Sequence, residues 1–255
     1  MGVAYPIRRS RRSHAALLSF VRGIDDYTLP DRLVSRGRAA LRGAWASSTA
    51  HSYGYSISPE RGLTAGVTAE SDRPALGAFA PADAVTGDAR AYLPSFSPHH
   101  VFALRVAGGR ATGDAAVRRI FHLGGAGPDA SVADFSRNAI SVLRGFPADT
   151  FAGSRVALTN IDYRFPLFRP ERGIGTWPVF LHTVHASVFG DAGHAWTRTF
   201  RASAIKTSVG GELSAEVVAG YFFRFTAAAG VARGHDGSGA VPDRTTAYFR
   251  IGKAF

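Results

Sequence analysis

The sequence predicts an all-β protein, an antiparallel transmembrane β-barrel, on three observations. No apolar run approaches the roughly 18 residues that a membrane-spanning helix needs, so any span must be built from strands. Period-two alternation is strong, and helical periodicity is poor, along nearly the whole chain. The connections between alternating stretches also fall into an order of short against long.

Composition leaves this open and closes other routes. Of 255 residues 45% are hydrophobic, 29 are Gly and none is Cys, which excludes disulfides and thiolate metal sites. The 30 Lys and Arg against 19 Asp and Glu give a net charge of +11, a balance that suits nucleic acid, anionic headgroups or an arginine-lined pore. RRSRR, from Arg8 to Arg12, is the densest cluster. Elsewhere the arginines are scattered singly and not interleaved with aromatics on one face, so nucleic acid is not read as a partner. A soluble basic β-protein that binds polyanions remains the alternative from another class. RRSRRSHAALLSFV is too short in its apolar part for a secretory signal and lacks a small-x-small cleavage site. Residues 1–37 therefore read as a basic N-terminal segment, with a remnant strand at 15–21, and residues 38–255 as a barrel portion.

Taken in order, the expected strands are 40–57, 63–70, 84–93 and 101–108, then 156–167, 179–191, 205–217, 221–232 and 245–255. The clearest is IKTSVGGELSAEV, where Ile205, Thr207, Val209, Gly211, Leu213, Ala215 and Val217 share one face. Lys206, Ser208, Gly210, Glu212, Ser214 and Glu216 share the other. Strands of about 9–11 residues or more with a charged face fit a wall between lipid and a wet lumen. In 156–167, Asn160, Asp162 and Arg164 face away from Ile161, Tyr163, Phe165 and Leu167; in 179–191, Thr183, His185, Ser187 and Asp191 share the more polar side. Successive connections run roughly 5, 13, 7, 45, 11, 13, 3 and 12 residues, the alternation expected of short periplasmic turns and long extracellular loops. The short turns at 58–62, 94–100 and 218–220 would then lie on the rim that holds the C-terminus.

The long connection, 109–153, contains HLGGAG and VLRGF. LGGAG lacks the GK[ST] ending of a phosphate loop. FHLGG, then LRGF, NIDYRFPLF, VFGDAGHAW and a last strand ending in Phe form an ordered set. Over 38–255 this set resembles the C-terminal barrel of the bacterial surface antigen superfamily, which includes BamA- and TamA-type outer-membrane assembly factors and two-partner secretion transporters. The resemblance implies that the loop carrying Leu143, Arg144, Gly145 and Phe146 folds back into the lumen. Arg144 would there meet acidic residues on the inner wall: Asp162 in the first following strand, and Asp191 of the Phe189-x-Asp191-x-Gly193 motif in the next. Asp162 stands where the family often has Glu, which shortens its reach. Alternation had independently put both aspartates on polar faces.

Such a barrel has sixteen strands, of which about nine or ten are counted here. The expectation is an incomplete, strongly curved sheet with the Arg144 loop on its concave side: a truncated C-terminal piece, or one closing by oligomerisation or as a smaller barrel. The resemblance implies insertion or translocation of proteins at the bacterial outer membrane, or a pore, with no reaction, no cofactor and no metal. The expected partners are outer-membrane lipid, client proteins and the barrel assembly machinery. That machinery would recognise the last strand, through Tyr248, Phe249, Ile251, Gly252 and Phe255. The alternative within this class is a membrane anchor for an enzyme or propeller encoded upstream.

Other constellations read as structural. His182 and His185 have opposite parity and cannot chelate together, and GHDGSG, 234–239, has one Asp where calcium needs several oxygens, so it reads as an extracellular loop. No Ser-His-Asp or paired-Glu arrangement stands out. Trp45, Tyr53, Tyr55, Trp177 and Trp196 are expected in an interfacial girdle.

Overall fold

The computed structural model describes residues 1–9, 11–29, 32–127, 142–173 and 175–252, with the side chains of 25–29, 32–36 and 252 outside the description. Phe255, part of the expected terminal signal, lies outside the described residues. The strands are β1 (Gly2–Arg9), β2 (Arg12–Leu29), β3 (Arg32–Ser48), β4 (Gly62–Asp72), β5 (Ala82–Pro94), β6 (Val101–Gly113), β7 (Phe121–Leu123) and β8 (Phe151–Gly153). They continue with β9 (Arg155–Phe168), β10 (Arg172–Gly173), β11 (Val179–Trp196), β12 (Lys206–Ala219), β13 (Phe223–Asp236) and β14 (Arg244–Gly252). Among the described residues, 12 strands form one antiparallel sheet ordered β1-β2-β3-β4-β5-β6-β9-β11-β12-β13-β14, with β10 attached to β11. β7 and β8 pair with each other inside the long connection. No ladder joins β1 to β14 among the described residues.

Alternation sorts the two faces. On β12, Lys206, Ser208, Glu212 and Ser214 are buried while Val209 and Leu213 are exposed. On β9, Val156, Leu158, Asn160 and Asp162 are buried and Ile161 is exposed. The outer face is thus apolar, while the inner face carries the polar and charged residues together with a local apolar patch. The apolar core itself lies within the curve of the sheet. Phe121, Leu123, Leu143 and Phe146 of the long connection pack on Ala84, Ala107, Ala111, Val156 and Leu158 of the wall.

The N-terminal part departs from the sequence reading. Within residues 1–37, expected as a basic segment with a remnant strand, 2–9 and 12–29 form β1 and β2, so the sheet holds more strands than the nine or ten counted. Every residue of β1 is exposed, so no buried face imposed an alternation that could be read. Arg8, Arg9, Arg11 and Arg12 flank the hairpin between β1 and β2, with Arg9 paired to Arg12. Charges at a turn are no obstacle to strands on either side of it.

The expected short turn at 58–62 is replaced by a longer excursion. β3 ends at Ser48, not Ile57, and residues 49–61 extend the hairpin before bending inward. Ala50 packs on the inward-facing Tyr92, Val101 and Ala103. The tip is tethered by Glu60 to His99 (2.7 Å) and by the Tyr55 carbonyl, which accepts from Arg169 at 2.6 Å. The connections 95–100 and 220–222 are short and share the rim where β14 ends; the long connection leaves β6 at Gly113 and rejoins the wall at Arg155 on the opposite rim. Loop length is therefore only partly sorted by rim, since 49–61 is long on the C-terminal side.

Candidate functional site

The site is built by the long connection returning to the wall. Two glycines at positive φ, Gly124 (134°) and Gly125 (87°), turn the chain after β7. An isolated bridge then pairs Gly125 with Leu143, and the Gly125 N–H donates to the Phe146 carbonyl at 3.0 Å. The segment 142–146 is thereby held against β7, with Leu143 and Phe146 fully buried.

That placement aims Arg144 at the inner wall. Its Nη2 donates to Asp162 Oδ1 at 2.7 Å and to Asp191 Oδ1 at 2.6 Å, while Nε donates to Asp191 Oδ2 at 2.9 Å. The Arg144 backbone N–H adds a bond to the same Oδ2 at 3.0 Å. The guanidinium carbon lies over the Phe189 ring, 3.4 Å from its centroid, a cation–π contact. The structure thus brings Arg144 together with Asp162, Asp191 and Phe189. The shorter side chain of Asp162 reaches because the loop comes down to it.

Neighbours complete the network. Asn160 Nδ2 donates to Asp191 Oδ1 (2.8 Å) and to the Val142 carbonyl (3.1 Å), Ser208 Oγ donates to Asp191 Oδ2 (3.2 Å), and Arg164 Nη2 donates to Asp162 Oδ2 (2.8 Å). Burial works against a charged guanidinium. Asp162, and Asp191 with it, more than offset that, and Arg144 holds its proton more tightly than an ordinary arginine. A planar donor fork answered by two carboxylates is a strong lock in a shielded site.

Gly145 and Phe146 carry the loop across to the last strands. Gly145 has φ 92°, and a Cβ there would lie 2.9 Å from the Gly234 nitrogen. Gly234 in turn leaves room for Phe146, whose ring would be 2.8 Å from any Cβ on it. Thr246 Oγ1 donates to the Gly145 carbonyl at 3.2 Å. Gly193 sits where a Cβ would crowd Leu123 at 3.0 Å.

Several of these partners escaped the sequence reading. Gly234 and Asp236 belong to β13, not to the expected loop; Asp236 is buried, 3.4 Å from Lys206 Nζ, and accepts from Ser238 and Val241. A second anchor of the same connection is Arg119, 3.5 Å from Glu70 on β4, where Arg42 (2.9 Å) and Arg38 also converge. Glu70 shares the parity of Thr64 and Thr68, which was the available signal. On β14, Tyr248 Oη donates to Glu212 (2.9 Å) and Arg250 pairs with it (2.7 Å), whereas Phe249 and Ile251 are exposed on the outer face. Gly252 closes the described part of β14. Trp45 and Trp177 lie toward the C-terminal rim and Trp196 at the other; Tyr53 and Tyr55 belong to the connection 49–61 and not to the wall.

Contacts from one connection to β4, β9, β11, β12, β13 and β14 require the sheet to wrap around it. An antiparallel sheet wrapped on an inward-folded loop defines an all-β fold of the barrel class. Among solved structures, the chain is similar to the crystal structure of BamA from Haemophilus ducreyi lacking POTRA domains 1–3, with a TM-score of 0.66 at 13% identity. The likeness covers 98% of this chain and 53% of that one, so the chain spans about half the length of its solved counterpart. No protein-family model and no curated protein matches the sequence.

Proposed function

We propose that the chain forms the wall of an outer-membrane β-barrel of the surface antigen type, acting in insertion or translocation of proteins at the bacterial outer membrane or as a pore. The carrying observation is the outer face. Leu63, Val67, Val85, Val106, Ile161 and Val188 are each between 44% and 60% exposed, spread over five strands. A water-facing surface of that kind is an aggregation hazard, whereas lipid is its natural solvent. The same face argues against the soluble polyanion-binding alternative.

In this reading the chain catalyses no reaction and carries no cofactor. Its working part is the loop locked by Arg144 across the inner wall, and Tyr248, Phe249 and Ile251 form the strand that the assembly machinery reads. The test is folding into detergent micelles followed by electrophoresis with and without boiling. A faster-migrating unboiled band and detergent-dependent solubility are expected. Recovery of a stable, detergent-free monomer would overturn the proposal.

A further inference from the structure

The connection 49–61 is built as a strap across the C-terminal mouth. Its base continues the β3–β4 hairpin: the Thr49 N–H donates to the Leu63 carbonyl at 2.8 Å, and the His51 N–H to the Arg61 carbonyl at 2.9 Å. Ala50, between these rungs, packs on Tyr92, Val101 and Ala103 of the inner face. Beyond the rungs the chain leaves the wall, yet Ile57 and Ser58 are buried. The tip folds on itself, with Ser56 Oγ accepting from the Tyr53 N–H and donating to Glu60 Oε1, both at 2.7 Å.

The tip is latched to elements that the strap does not join. Arg169, just past the end of β9, donates from Nη2 to the Tyr55 carbonyl at 2.6 Å and sets its guanidinium 4.9 Å from the centroid of the Tyr55 ring. His99, in the connection between β5 and β6, places Nδ1 2.7 Å from Glu60 Oε1, and its ring meets Tyr55 edge-on at 6.3 Å. β5 and β6 lie between β4 and β9 in the sheet, so the strap passes over the rim of both. His99 also holds φ 63°, left-handed backbone that side chains rarely adopt. That conformation costs free energy, and it is held where the ring meets the strap.

We infer that 49–61 is a gate: latched, it shuts the lumen at the C-terminal mouth, and released at its tip it swings on its hairpin base and opens it. What it shuts is the chamber between the strap and the Arg144 loop, lined by Arg90, Tyr92, Ala103, Arg105, Arg164 and Arg250. The latches suit a switch. They are partly exposed polar contacts at the rim, each weak singly, whereas Arg144 is buried on two carboxylates. The strap therefore yields before the lumen loop does. The inference rests on the barrel reading above and adds to it a moving part on the path through the lumen.

The test uses the full chain folded into detergent micelles, which leave both rims in water, with one cysteine at a time and the anionic reagent sulfonatoethyl methanethiosulfonate. Ala103→Cys reports the chamber, Leu213→Cys the outer face, and Ala240→Cys the water beyond the opposite rim. His99→Gly, which tolerates the left-handed backbone, combined with Arg169→Ala removes both latches. The pair should raise the labelling rate of Ala103→Cys about tenfold and leave that of Ala240→Cys unchanged. Equal Ala103→Cys rates with and without the latches overturn the gate. If the double variant loses the fast-migrating unboiled band, Glu60→Ala alone carries the same comparison, with a rise of about threefold expected. Leu213→Cys separates the two claims: labelling at least about tenfold slower than at Ala240→Cys leaves the barrel reading standing whatever the gate does. Labelling as fast as at Ala240→Cys overturns the barrel reading and the gate with it.

Discussion

At the scale of single residues, Asp191 and Asp162 are not equivalent partners of Arg144. Asp191 accepts from the Arg144 backbone, Nε and Nη2, from Asn160 and from Ser208; Asp162 accepts from Arg144 and Arg164. Arg144→Ala leaves two buried carboxylates without their shared cation and should destabilise the folded barrel by about 3–5 kcal/mol in denaturant unfolding. Arg144→Lys retains charge without the fork and should recover only part of that loss. By the same count, Asp191→Asn should cost more than Asp162→Asn, and equal costs would show that the number of bonds is not what matters. Gly145→Ala should cost about 1–3 kcal/mol, because its φ of 92° disfavours any side chain and the Cβ would meet Gly234.

At the scale of elements, each strand separates two solvents. Val67 and Thr68 are adjacent on β4, opposite Trp45 and Ala44 of β3, and point to opposite faces. An arginine at Val67 should cost about 2–4 kcal/mol in lipid, whereas one at Thr68, on the polar inner side, should cost clearly less. Unfolding of the two variants from the same vesicles compares them directly. Strand parity was legible where a wall strand has one buried face: on β12 Lys206, Ser208, Glu212 and Ser214 are buried and Thr207, Val209 and Leu213 exposed, as the alternation at 205–217 predicts. β1 was missed, and β2 was read only as a remnant at 15–21, for the complementary reason. With β1 exposed along its whole length, its sequence need not alternate, and the arginines of the hairpin resemble a solvated tail.

At the scale of the whole molecule, the long connection acts as the core. A barrel wall cannot bury its inner apolar residues against itself, and here Phe121, Leu123, Leu143 and Phe146 fill that role for Ala107, Ala111, Val156 and Leu158. Arg119 on Glu70 and Arg144 on Asp162 and Asp191 anchor the connection toward both of its ends. The second of these was legible in the order of the motifs. The first was not, because a lone arginine and a lone glutamate 49 positions apart carry no spacing signal. Loop sorting failed at 49–61 for a related reason: a turn that bends back over the mouth has no length limit set by the strands it joins. Loosening the connection should loosen the whole sheet, so Arg144→Ala should lower the temperature at which the compact band is lost on gels, and an unchanged temperature would detach the loop from barrel stability.

The central claim is that the outer face of this sheet meets lipid. It is tested most directly by spin labels on single cysteines at Val67, Val209, Leu213 and Val231, in a chain that has no cysteine of its own. In phosphatidylcholine vesicles, every label should collide more often with oxygen, which concentrates in the acyl region, than with a water-soluble nickel chelate. Preferential collision with the nickel chelate at these positions would place the face in water and contradict the account.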